Sequence, residues 1–218
     1  HFTTLPAQVI AACQTTTGTT GRTWARVDVD GNAMVGSPDF VNHPVYAGIT
    51  ANTIDGQSMI GFPKCFVCRE TLATGQYTGK DMRAVSDIAL PGYEVHPAFL
   101  ADGGNTAMDM VWVGRYQASA DGSTKAASKA SRCTARNTGG VAGFHLWNIH
   151  ELSLIQLLMV LELGGTDVQT LVGRGHVDNS PTGVQNVDHA TVAQASWRGL
   201  VGLWGNIYQM CDGFRGGG

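Results

Sequence analysis

Apolar positions crowd most densely in one segment of this chain. From Ile149 to Leu163 the run is interrupted only by His150, Glu151, Ser153, Gln156 and Glu162, and such a segment predicts a helix buried on most of its circumference. Asn148 supplies an N-cap, and Glu151 three residues on gives a capping-box-like arrangement. Gly164-Gly165 then provides a left-handed stop. Elsewhere the period is that of strands. Ser58 to Arg69 predicts one strand that is apolar on both faces, with Ile60, Phe62 and Phe66 on one side and Met59 and Val67 on the other. Met108 to Tyr116 alternates as a half-buried antiparallel strand should, with Met108, Met110, Trp112 and Tyr116 opposite Asp109 and Arg115. A shorter strand around Thr23 to Val29 runs into the turn signal Asp30-Gly31-Asn32.

Between these elements the pattern fades. Residues 1–22 are rich in Thr, Ala and Gly and read as a connector or peripheral strand ahead of one domain spanning 23–218. Residues 36–56 read as irregular, with Pro38, Pro44 and Asp55-Gly56. Ser119 to Gly140 reads as a polar surface loop with a helical turn near Ser131 to Asn137, and Gly164 to Asp188 as a second Gly-rich loop. A Trp-rich end follows, from Trp197 to Cys211.

Composition narrows the class. Only 14% of the residues are charged, well below the roughly 25% of ordinary soluble domains. Glycine contributes 29 of 218 residues, near twice its usual share, which suits a loop-rich surface protein. Lys+Arg 14 against Asp+Glu 17 gives a net charge of −3, without the basic excess of a nucleic-acid binder. No stretch of about 20 apolar residues predicts a membrane span, and no signal peptide is visible. The start at His1 and the terminal Gly216-Gly217-Gly218 read as the limits of a fragment.

No catalytic or metal constellation is expected. The five cysteines at 13, 65, 68, 133 and 211 are odd in number and irregular in spacing, a poor disulfide framework. Cys65 and Cys68, three apart on the predicted strand, fall on opposite faces, and no second pair completes four zinc ligands. His150-Glu151 begins like a metalloprotease helix, but Leu154 stands where the second histidine should be. His145 and His150 do not share a helical face. Gly56-Gln57-Ser58-Met59-Ile60 lacks the closing glycine of a nucleophile elbow, and the segment after Gly173-Arg174-Gly175 lacks the third glycine of a phosphate loop. His176 and Asp178 read as hydrogen-bonded loop scaffolding rather than as a base and its orienter or as part of a metal site.

The aromatic and glycine landmarks carry a resemblance. Trp197-Arg198-Gly199, then Leu203-Trp204-Gly205-Asn206-Ile207-Tyr208 and Asp212-Gly213, resemble a signature shared by formylglycine-generating, sulfatase-modifying enzymes and by phage tail and retroelement-diversified proteins with a C-type-lectin-like fold. Asn42-His43-Pro44-Val45-Tyr46-Ala47-Gly48, Phe62-Pro63-Lys64, and Pro91-Gly92-Tyr93-Glu94-Val95-His96-Pro97-Ala98-Phe99 leading to Val113-Gly114-Arg115-Tyr116 are similar to the phage set in particular, as is Gly143-Phe144-His145. The resemblance covers about residues 23 to 213. Gln209-Met210 departs from the acidic-aromatic pair of the enzymes, and the downstream cysteine pair they use does not follow before the chain stops.

The resemblance implies an α+β, C-type-lectin-like fold: a twisted antiparallel sheet, a buried helix and long irregular loops, truncated at the C-terminus. Trp197, Arg198, Gly199, Trp204, Gly205, Asn206 and Tyr208 are its expected fold signature. It implies a bacteriophage virion protein of a tail tip, fibre or spike rather than an enzyme, a homotrimer among other tail proteins, with no cofactor, no nucleic-acid partner and no membrane insertion. Its ligand would be a host-surface glycan or protein, met by the loops Ser119 to Gly140 and Gly164 to Asp188. A formylglycine-generating type of enzyme and a purely architectural baseplate or capsid-decorating protein are the alternatives.

Overall fold

A computed structural model of the chain describes residues 9–15, 22–28, 30–34, 40–100, 106–117, 147–178, 184–186, 188–206 and 211. Within them the protein is α+β with antiparallel strand pairing. The strands are β1 (Val9–Gln14), β2 (Trp24–Arg26), β3 (Thr50–Ile54), β4 (Gln57–Pro63), β5 (Phe66–Thr71), β6 (Asp81–Ser86), β7 (Glu94–Val95) and β8 (Met110–Gly114). The helices are α1 (Pro44–Ala47), α2 (Ile149–Leu163), α3 (Val168–Leu171) and α4 (Ala190–Ala193), with a 3₁₀ turn at Pro97–Phe99. One sheet runs β2-β1-β6-β5-β7 and another β3-β4-β8. Among the described residues no helix is long and apolar enough to cross a membrane.

The chain divides into two compact units. The first comprises His1–Ile49, Phe62–Val111 and Ser153–Leu171; the second comprises Thr50–Gly61, Trp112–Leu152 and Val172–Gly218. The N-terminal segment, expected as a connector or peripheral strand, contributes an interior strand instead. β1 lies inside the five-stranded sheet, paired with β2 on one side and β6 on the other. Its residues Val9 to Cys13 are all buried. Val9, Ala11 and Cys13 join Val27, Leu72, Met82 and Ala84 in one core cluster, against which Cys68, Tyr77, Leu90 and Tyr93 pack. Ile10, paired with Val85, is buried on the opposite face. Two-sided burial favours an unalternating apolar run, and the small side chains of Ala11 and Ala12 hide that run from a pattern search.

The helix α2 has the predicted bounds. The Oδ1 of Asn148 accepts from the N–H groups of His150 and Glu151, both at 2.9 Å. In return the Glu151 carboxylate accepts from the Asn148 N–H at 2.9 Å, closing a reciprocal capping box worth about 1 kcal/mol. Glu151, Leu154, Ile155, Leu158, Met159 and Leu161 are buried, while His150 and Gln156 are exposed. In the first unit the Tyr46 hydroxyl donates to the Leu158 carbonyl at 2.8 Å. The Trp24 N–H donates to the Gly164 carbonyl at 2.9 Å, so the helix end is tied to β2.

The single strand expected over Ser58 to Arg69 is two strands. β4 ends at Pro63, which has no N–H to continue a ladder, and β5 begins at Phe66 in the other sheet. Cys65 sits at the break, so its relation to Cys68 is not one of opposite strand faces. Both carry free thiols, Cys65 fully buried and Cys68 half-buried on β5. Burial pushes the Cys65 thiol from 9.0 up to about 12. The segment read as irregular before residue 57 contains α1 and β3. In the second unit β3 and residues 57–61 form a hairpin closed by Asp55 at φ 47° and Gly56 at φ 77°, the geometry of a type I′ turn. On β8 the fully buried residues are Val111 and Val113 rather than Met110 and Trp112. The Trp112 ring instead covers Gly61 so closely that a Cβ there would lie 2.7 Å from Cζ3.

Gly61→Ala therefore forces the indole off its seat. Urea unfolding should show a loss of about 1–3 kcal/mol, the usual cost of overpacking; an unchanged midpoint would remove Trp112 from that position. A second outcome concerns pH. The folded Cys65 thiol keeps its proton up to about 12 whereas an unfolded one releases it near 9.0, so this stabilisation is fully present below 9.0 and drains away as pH rises toward 12. Urea titrations above pH 9 should show a shallower decline in stability for Cys65→Ala than for the parent.

Candidate functional site

The segment 195–206 in the second unit is built from backbone constraints. Trp197 and Leu200 exchange N–H···O=C bonds of 3.0 and 2.9 Å. The two residues between them, Arg198 at φ 48° and Gly199 at φ 90°, make a two-residue turn of the primed class. Trp197 and Leu200 are buried, at 6% and 1% exposure, so the turn is anchored on both sides. The Val201 N–H then donates to the Arg115 carbonyl at 2.8 Å, and the Leu203 N–H to the Ala195 carbonyl at 2.9 Å. These contacts deliver Trp204, Gly205 and Asn206 to the loop that begins at Val172.

Each of the three grips that loop in its own way. The Trp204 indole N–H donates to the Gly173 carbonyl at 2.8 Å. Trp204 is half-buried and Trp197 is the enclosed indole, so Trp204 acts here as a polar handle on a partly covered ring. Gly205 has φ +85°, and a Cβ added to it would lie 2.8 Å from the His176 nitrogen and 3.1 Å from the Arg174 carbonyl oxygen. Only glycine satisfies both the left-handed conformation and the close approach. Asn206 is used on both ends of its carboxamide. Its Oδ1 accepts from the Gln185 N–H at 2.9 Å, while its Nδ2 donates to the Gln185 carbonyl at 3.1 Å and to the Gln117 Oε1 at 2.8 Å. Gln117 in turn donates from Nε2 to the Gly202 carbonyl at 2.7 Å. An aspartate at 206 would have no donor for either oxygen.

The loop held this way carries polar groups. Arg174 and Asp178 form a two-bond ion pair. The hydrogen bond from Arg174 holds the Asp178 carboxyl below its ordinary range. Asp178 is thus committed to Arg174 and not to His176, as a base-and-orienter pair would require. His176 instead lies beside His189, ring centroids 5.4 Å apart, and His189 caps α4 by accepting the Thr191 N–H on Nδ1 at 3.2 Å. Among the described residues no three His, Cys, Asp or Glu side chains gather closely enough to hold a metal ion.

Of the residues expected to form the signature, Trp197, Arg198, Gly199, Trp204, Gly205 and Asn206 lie together in this segment. Tyr208 lies outside the described residues. So do the whole loop Ser119 to Gly140, with its expected helical turn, and His145. The loop Gly164 to Asp188 is described at 164–178, 184–186 and 188. Gln117 and Gln185 were not foreseen. Gln117 reaches Asn206 across 89 positions of sequence, and a lone glutamine has no local pattern to announce such a contact.

Trp204→Phe keeps an aromatic ring, though a smaller one, and removes the hydrogen bond to Gly173, whose loss alone should cost about 0.5–1.5 kcal/mol. Gly205→Ala should cost more and should speed amide exchange in residues 173–178 well beyond the rest of the second unit. Uniform exchange across that unit would show that Gly205 does not restrain the loop. Comparison of the chain with protein-family models, curated proteins and solved structures found no match.

Proposed function

We propose that this chain is the C-type-lectin-like domain of a bacteriophage virion protein, placed on a tail tip, fibre or spike, and that it binds the host surface without catalysis. The observation that carries the reading is the clamp on the loop Gly164 to Asp188. Trp204 and Asn206 hold Gly173 and Gln185 through three hydrogen bonds, and the backbone at Gly205 passes so close to residues 174–177 that a Cβ would not fit. A loop held at both shoulders by a buried framework is how rigid scaffolds present binding residues. The α+β architecture and the resemblance of the Trp197 to Tyr208 segment support the finer fold. Low charge and abundant glycine suit a virion surface protein, assembled as a homotrimer with other tail proteins, with a glycan or protein of the host as ligand.

The clamp also dictates how to test it. Replacing the whole loop would strip Trp204 and Asn206 of their partners, so only residues 179–183 should be exchanged for a Gly-Ser linker, alongside a separate exchange of residues 121–138. In infectious particles, assembly and adsorption are then measured independently. Normal assembly with lost adsorption is the expected result. Normal adsorption with both segments exchanged would overturn the adhesive reading, and failed assembly alone would favour the architectural one.

A further inference from the structure

Two segments of the first unit repeat one device. His43-Pro44-Val45-Tyr46 opens α1, and His96-Pro97-Ala98-Phe99 opens the 3₁₀ turn. In each, the histidine is the N-cap, and its Nδ1 accepts the N–H two positions on, from Val45 at 3.3 Å and from Ala98 at 3.2 Å. The intervening proline has no N–H, so the ring serves the first amide of each turn. The aromatic residue that follows is enclosed, Tyr46 at 1% and Phe99 at 0% exposure, and both histidines are buried. Each histidine meets its aromatic edge-on, with ring centroids 5.8 Å and 6.5 Å apart.

An amide N–H can only donate, so these bonds fix the state of both rings: Nδ1 offers its lone pair and Nε2 holds the proton. For His96 that proton faces Ser153 Oγ on α2 at 3.4 Å, so the ring donates to the hydroxyl and is not its base. His43 is tied to the same helix through its own turn, since the Tyr46 hydroxyl donates to the Leu158 carbonyl. Serine, threonine and asparagine are the usual caps, and they keep their acceptors at any ordinary pH. An imidazole does not. A proton on Nδ1 sets one donor against another and leaves a charge buried. Around His43, Tyr46 is neutral, and the positive Arg26 lies within electrostatic reach of Tyr46. Beside His96, Cys65 accepts the His96 N–H on its carbonyl at 3.1 Å and keeps its thiol protonated up to about 12. Glu94, two residues before His96, is exposed on β7. Of these groups only Glu94 is negative at neutral pH, and water screens it.

We propose that His43 and His96 form an acid-sensitive latch in the first unit. Neutral, they cap the turns that seat Tyr46 and Phe99 and keep both turns tied to α2; protonated, they release them. The folded chain then binds fewer protons at these rings than the unfolded chain, so this stabilisation rises with pH. It is fully present above the ordinary imidazole value near 6.5 and is lost as pH falls below it. Each ring lowers the folding constant by up to about tenfold per pH unit below that value, and the two together by up to about a hundredfold. The latch does not involve the loops of the adhesive reading.

Nitrogen-15 spectra of the intact chain, labelled at histidine, read the tautomers directly. At pH 7.5 both rings should show an unprotonated Nδ1; a proton on Nδ1 of either would overturn the proposal. Amide exchange at pH 7.5 and 5.5, corrected for the intrinsic rate, should show protection falling by about tenfold or more at residues 46–49 and 99–100, and by less in β1 and β6. No loss at the two turns, or an equal loss throughout the unit, would also sink it. The His43→Asn/His96→Asn double variant keeps an acceptor at the δ position that does not titrate. Whatever its stability at pH 7.5, urea unfolding should show a clearly flatter decline toward pH 5.5 than the parent shows, and an undiminished decline would rule the latch out. If the loss of both rings prevents folding, the spectra and the exchange of the parent decide alone.

Discussion

Burial of β1 on both faces is the constraint on which the first unit rests. A strand enclosed on both sides must give all its backbone polar groups to neighbouring strands, since none can reach water. β1 pairs with β6 from Val9 to Cys13 and with β2 from Ala12 to Gln14, and its Ala11 carbonyl accepts from the Val27 N–H and the Arg26 side chain. That pairing sets the register by which Val9, Ala11 and Cys13 meet Met82 and Ala84 in the core. It also aligns Arg26, Ala12 and Arg83 on the other face. A slip of β1 by one residue would exchange its two faces, turning Val9, Ala11 and Cys13 out of the core cluster and Ile10, Ala12 and the polar Gln14 into it. The small residues of β1 are therefore structural choices: Ala11 is fully buried where a larger side chain would have no room.

The second unit depends on a different device. Its loop segment is held by side-chain and backbone groups that satisfy one another, chiefly the Asn206 carboxamide with Gln185 and Gln117. Asn206 meets the N–H and C=O of one residue at once, as a neighbouring strand would, and so replaces secondary structure where none is present. Gly205 makes this possible by letting the backbone pass within contact distance of residues 174–177. A polar network of this kind fixes geometry more than it adds stability, because each bond formed replaces one to water.

Some of this was legible from single residues. Helix α2 was, because its apolar density, its Asn148 cap and its Gly164 stop all point to the same bounds, and the structure satisfies each. The grouping of Trp197, Arg198, Gly199, Trp204, Gly205 and Asn206 was also legible, since they are close in sequence and their glycines mark turns. What failed was reading through chain breaks. Ser58 to Arg69 looks like one apolar strand, and Pro63 was too weak a local signal to reveal that its two halves belong to different sheets. β1 was missed because alanine and cysteine look indifferent until the strands that enclose them are known.

The sequence by itself determined the class of elements, the ends of the long helix and the cluster of turn residues near the C-terminus, because caps, periodicity and glycine act over a few residues. Only the tertiary structure decided that β1 is interior, that Cys65 lies between strands and that Asp178 answers to Arg174. Those facts follow from strand register and from contacts such as Asn206 with Gln117, 89 positions apart. Cross-strand neighbours are set by the closure of the whole sheet, and no local stretch of sequence contains that information.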